Sequence, residues 1–71
     1  MNAQEIGEAL RQRRLKRKLS QTEAGALADP VLVQRLVSVI ETDPGPRLLA
    51  NVLAYAAALG CELHVRHLRA K

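Results

Sequence analysis

The chain has 71 residues, a formal net charge of +4, one cysteine, and 48% hydrophobic but only 1% aromatic residues. That length makes one small domain, and such a domain buries only about 60% of its unfolded surface, so extra burial has to come from a disulfide, a metal or a second copy. Cys61 stands alone, which excludes an internal disulfide and fits a reducing cytoplasm. No stretch approaches the roughly 18 apolar residues of a membrane span, and the N-terminus lacks a signal-peptide pattern. Tyr55 is the sole aromatic, so the expected core is aliphatic.

The first predicted helix runs from about Ala3 to Arg17, with Ile6, Ala9, Leu10 and Arg13 or Arg14 recurring at three- and four-residue steps. Six of the eight residues from Arg11 to Lys18 are basic. Such a cluster favours polyanions, nucleic acid before acidic membrane. Ser20-Gln21-Thr22-Glu23 has the form of a capping box, opening a short second helix with Ala24, Leu27 and Ala28 inward, to end near Ala28.

Asp29-Pro30 is both a stop and a start. Proline disfavours helix in the residue before it, yet suits the first position of a new helix with Asp29 as its N-cap. A third helix is expected from about Pro30 or Val33 to Glu41, with Leu32 or Val33, Val37 and Ile40 inward and Gln34, Arg35, Ser38 and Glu41 on the other side. Asp43-Pro44-Gly45-Pro46 is a turn. A fourth helix is expected from about Arg47 to Leu59, with Leu48, Leu49, Val52, Leu53, Ala56 and Leu59 inward and Gly60 as its stop.

Beyond Gly60 the period changes. Cys61, Leu63 and Val65 alternate with Glu62, His64 and Arg66, a strand pattern. A single strand needs a partner for its backbone, and none other is predicted in the chain. Two copies pairing around a two-fold axis satisfy this requirement, which makes Cys61, Leu63 and Val65 the expected dimerisation residues. The domain division expected is thus 1–60 for the helical unit and 61–71 for a dimerisation strand and basic tail.

Two short helices joined by a tight connection, the second with a polar outer face, have the form of a helix-turn-helix. The residues go further. Ile6-Gly7-Glu8-Ala9-Leu10-Arg11-Gln12-Arg13-Arg14, then Leu19-Ser20-Gln21-Thr22-Glu23, Leu27 and Ser38-Val39-Ile40-Glu41 together resemble the lambda-repressor-like, Cro-type helix-turn-helix family over about residues 5 to 60. The ending, Ala58-Leu59-Gly60 and then Glu62-Leu63, is similar to the HipB-like antitoxins. The sequence departs from the family at the turn, where Asp29-Pro30 replaces the usual glycine and the segment before Val37 is longer.

The resemblance implies an all-α, four- to five-helix domain with a C-terminal strand paired across a dimer. It implies a sequence-specific repressor acting on a pseudo-palindromic operator in double-stranded DNA. It also implies an antitoxin role with a HipA-like kinase toxin as partner, in a bacterial or phage setting. By position, Gln21 would contact a phosphate and brace the recognition helix, with the Thr22 amide beside it. Gln34, Arg35 and Ser38 match groove-facing positions, Arg35 suited to guanine and Gln34 to adenine. Arg14 and Glu41 match a structural pair. Of the basic run, Arg11 and Lys18 are the expected DNA contacts, because the whole run spans most of a helix circumference.

The competing reading is a protein-interaction module that neutralises a toxin with little DNA binding. Val31, Leu32 and Val33 keep it open, being apolar where a major groove would be met. Enzymatic chemistry has no supporting constellation. His64 and His67, three apart on the expected strand, point to opposite faces, so no metal or other cofactor is expected. RNA binding lacks the stacking aromatics that RNA modules use.

Overall fold

The computed structural model describes residues 2–45 and 49–61. They form four helices, α1 (Ala3–Lys16), α2 (Gln21–Ala26), α3 (Gln34–Thr42) and α4 (Leu49–Ala58), and no strand occurs among the described residues. The all-helical class therefore holds. The expected strand lies outside the described residues except for Cys61, which follows α4 without strand structure.

Local chemistry explains most boundaries. The α2 capping box forms: the Glu23 amide donates to Ser20 Oγ at 3.0 Å, and the Ser20 amide donates to the Glu23 carboxylate at 2.8 Å. Asn2 and Glu5 make the same reciprocal pair at the start of α1, both at 2.8 Å. α1 and α4 end alike. The residue past the C-cap turns left-handed, Lys18 with φ 59° and Gly60 with φ 73°. The next amide, of Leu19 or Cys61, then closes back on Arg14 O or Ala56 O. This is the Schellman arrangement, which satisfies carbonyls the helix leaves open.

Of the two starts expected for the third helix, Pro30 and Val33, the structure selects the later one. Asp29 does not cap α3. Asp29 and Pro30 lie within a longer connection, and α3 begins only at Gln34, with Val33 at its N-cap. Leu32 is the cause. It is buried, and its amide donates to Gly25 O at 3.0 Å, which folds the connection back over α2. Gly25 allows this approach, since a Cβ there would fall 2.2 Å from Leu32 O.

The core consists of Leu10, Ala24, Ala28, Leu32, Val37, Ile40, Val52, Tyr55, Ala56 and Leu59. α3 packs against α1 and α2, and α4 closes on α2 and α3. α1 crosses α3 at Gly7, where a Cβ would meet Ile40 O at 2.4 Å. Several residues of the expected apolar faces are instead exposed, namely Ala9, Leu27, Leu49 and Leu53; of Leu32 and Val33 it is Leu32 that is buried, and Leu48 lies outside the described residues. In α4 the buried stripe is Val52, Tyr55, Ala56 and Leu59, the i, i+3, i+4, i+7 face of a helix. Leu49 and Leu53 flank that stripe and face outward. No helix of the described residues is long and apolar enough to cross a membrane.

Candidate nucleic-acid interface

Glu41, near the end of α3, is the centre from which the candidate surface is held. Its carboxylate is buried and receives donors from three other helices. Arg14 of α1 gives a forked contact, Nε to Oε2 at 2.6 Å and Nη2 to Oε1 at 3.1 Å. Gln21 of α2 donates from Nε2 to Oε1 at 3.1 Å, and the Tyr55 hydroxyl of α4 donates to Oε2. Arg14 Nη1 also reaches Leu19 O at 2.8 Å, tying in the α1–α2 turn. Every buried side-chain nitrogen or oxygen among the described residues has a partner, the condition under which a buried charge is tolerable.

The electrostatics follow the contacts. Burial alone would raise the Glu41 carboxyl, but the hydrogen bonds from Arg14, Tyr55 and Gln21 outweigh it and hold the group below the usual carboxylate range. The bond to Glu41 raises Arg14. Burial, reinforced by the adjacent carboxylate, pushes the Tyr55 hydroxyl well up.

Gln21 carries this order to the opposite end of α3. Its Oε1 accepts from Gln34 Nε2 at 2.8 Å while its own amide holds Glu41. One side chain therefore links the first residue of α3 to its buried carboxylate. The amino end itself is open. Val33 supplies no side-chain cap, and Val33, Gln34 and Arg35 are exposed. Thr22 is exposed near the start of α2, and Ser38 is half-buried one turn after Gln34. Gln21, Thr22, Gln34, Arg35 and Ser38 thus fall on the first turns of α2 and α3, with Gln21 and Gln34 in direct contact.

The basic run divides. Arg14 is buried in the network. Arg13 Nε donates to Leu59 O at 3.2 Å and Arg17 Nη1 to Ala58 O at 3.1 Å, so both engage the carboxyl end of α4. That placement suits the partial negative charge of a helix end. Arg11 is exposed beside Glu8 at 3.6 Å, and Lys16 and Lys18 are exposed. Arg11 lies on α1 and Lys18 in the turn after it, and no hydrogen bond or ion pair among the described residues joins either to the α2–α3 set.

Sequence reasoning missed Tyr55 as a polar partner, although its position on the 52-55-56-59 stripe marks it as buried, and a buried tyrosine needs an acceptor. It also missed the Asn2 cap, for which Asn2 with Glu5 three residues on is the signal. No protein-family model matches the chain, and comparison with curated proteins and with solved structures yields no match.

Proposed function

We propose that this chain is a sequence-specific DNA-binding repressor in which α3 enters the major groove by its amino end. The observation that carries the reading is the Gln21–Gln34 bond beside the exposed Arg35. An amide group has two N–H donors and a carbonyl acceptor. With one Gln34 donor given to Gln21, the other donor and the carbonyl oxygen are left, which is the pair that adenine N7 and N6 require. Arg35 next to it offers the fork that guanine O6 and N7 accept. Through Gln21 the buried network holds Gln34 before DNA arrives, which spares part of the ordering cost on binding.

Phosphate contacts would come from cations not already engaged. Among the described residues these are Lys16 and Lys18, together with Arg11, whose partner Glu8 is itself at the surface, since Arg13, Arg14 and Arg17 serve the fold. We include in the proposal a homodimer spanning two half-sites about 34 Å apart. α4 supports it: the helix has no charged residue, and Leu49, Ala50, Leu53 and Ala57 are exposed along it. Of the residues expected at the seam, Cys61 is half-buried, while Leu63 and Val65 lie outside the described residues. Autoregulation as an antitoxin, with a HipA-like kinase toxin as partner, rests on the resemblance of the sequence alone.

The test is fluorescence anisotropy with the DNA upstream of the gene and a scrambled duplex, at several salt concentrations. The expected result is preference for the native duplex, with affinity falling steeply as salt rises. Arg35→Ala and Gln34→Ala should each cost about 1–3 kcal/mol of discrimination. Equal, weak binding to both duplexes would overturn the proposal.

A further inference from the structure

The connection into α3 places two large apolar side chains in solvent beside the proposed base-reading pair. Val31 is 67% exposed and Val33 is 58% exposed. Leu32 between them is buried and anchors the segment to α2 through its amide, so the two valines are held on a fixed backbone. Val33 is also the N-cap of α3, with no side-chain hydrogen bond to the helix. Valine is among the poorest residues at that position, where Ser, Asp, Asn and Thr are favoured. Neither core packing nor helix capping therefore accounts for Val33.

We propose that Val31 and Val33 read thymine by packing on its 5-methyl group, next to the bases met by Gln34 and Arg35. This deepens the DNA-binding reading and rests on it. Three observations favour DNA as the occupant. Val33 directly precedes the Gln34–Arg35 pair, Val31 lies two residues before it, and all four side chains are exposed. The neighbouring charge is Arg35, and the chain carries +4 overall, which complements a polyanion. The connection's one acid, Asp29, precedes both valines and is separated from Gln34 by Pro30, Val31, Leu32 and Val33. In the major groove the thymine methyl is the only apolar group a base edge presents, and β-branched or small apolar side chains suit it.

The probe is a duplex selected by the wild-type protein from a random library, then remade with single thymines replaced by uracil. Uracil pairs identically and lacks only the 5-methyl. At the contacted position, wild-type affinity should fall about 3- to 5-fold, the worth of one buried methyl group. The same replacement should have little effect on Val33→Ala or Val31→Ala, whichever side chain makes the contact. Both variants alter exposed side chains, and circular dichroism melting verifies their folding. If selection succeeds but no uracil replacement alters binding, the thymine inference falls and DNA binding stands. If both valine variants bind DNA unchanged yet lose a partner protein, the segment is a protein interface and the inference falls. If no duplex is selected at all, the DNA-binding proposal falls, and this inference with it.

Discussion

The two ends of α3 are built on opposite principles. At its carboxyl end Glu41 is 5% exposed, meets donors from three other helices, and lies where α1 presses so close that only glycine fits at position 7. At its amino end Val33 caps nothing, two valines face water, and Gln34 and Arg35 extend outward. One helix thus carries a fully satisfied polar centre and, two turns away, an edge left uncapped and apolar. Stability is concentrated where nothing foreign can reach, and chemistry that a partner could use is concentrated where stability has been forgone. Among the described residues, Gln21 is the only side chain bonded to both ends.

The contrast makes opposite predictions for the two ends. The largest effect belongs to Glu41→Gln. It keeps the shape but leaves the Arg14 guanidinium buried without its countercharge, and should cost about 3–5 kcal/mol in urea denaturation. A small domain has little more than that in total, so the variant should be largely unfolded at moderate temperature. An effect near zero would mean that the Glu41 charge contributes nothing to stability.

Tyr55→Phe is smaller. It removes one donor from the carboxylate and should cost about 1–2 kcal/mol. It also changes the pH profile. Because Glu41 titrates lower in the folded protein than its ordinary value of 4.5, its stabilisation is present above that value and is lost as pH falls through the folded pKa. With one donor gone, the folded pKa rises, so acid unfolding should begin at a higher pH in Tyr55→Phe. Superimposable acid transitions would show that the hydroxyl does not act on the carboxylate.

The smallest effect has the opposite sign. Val33→Ser supplies the missing cap and should stabilise the protein by about 0.5–1 kcal/mol, while weakening DNA binding by removing the methyl groups. A gain in stability with loss of binding would confirm the division of labour between the ends of α3. Loss of stability would show that Val33 serves the fold.

Much of this was legible in the sequence, and the misreadings share a cause. The α2 capping box and the Gly60 stop depend on a few adjacent residues, and both form as written. The Arg14–Glu41 pair was implied by resemblance, since no periodicity places a carboxylate from α3 against a guanidinium 27 positions earlier. Asp29-Pro30 had adequate local chemistry for a helix start, but the burial of Leu32 against Gly25 is a tertiary event, and it delays α3 to Gln34. In α4 a sequence apolar but for Asn51 and the Tyr55 hydroxyl hides its own phase: with Leu and Ala on both faces, Leu49 and Leu53 read as core although Val52, Tyr55, Ala56 and Leu59 fill the inner stripe. Ser38 is implied by the resemblance, Thr22 by its amide at a helix amino end, and Arg11 and Lys18 by the basic run; the exposed positions of Thr22, Arg11 and Lys18 give sequence no core contact by which to rank them.

The Glu41 network draws one side chain from each helix: Arg14 from α1, Gln21 from α2, Glu41 from α3 and Tyr55 from α4. No helix can therefore peel away alone without stranding a polar group that the others have buried. Opening one helix therefore adds the cost of an unmet buried polar group to the packing it loses, which disfavours locally unfolded forms. In so small a domain this favours a single cooperative transition of the four helices. The slowest amide protons of the four helices should exchange with solvent through a single shared opening.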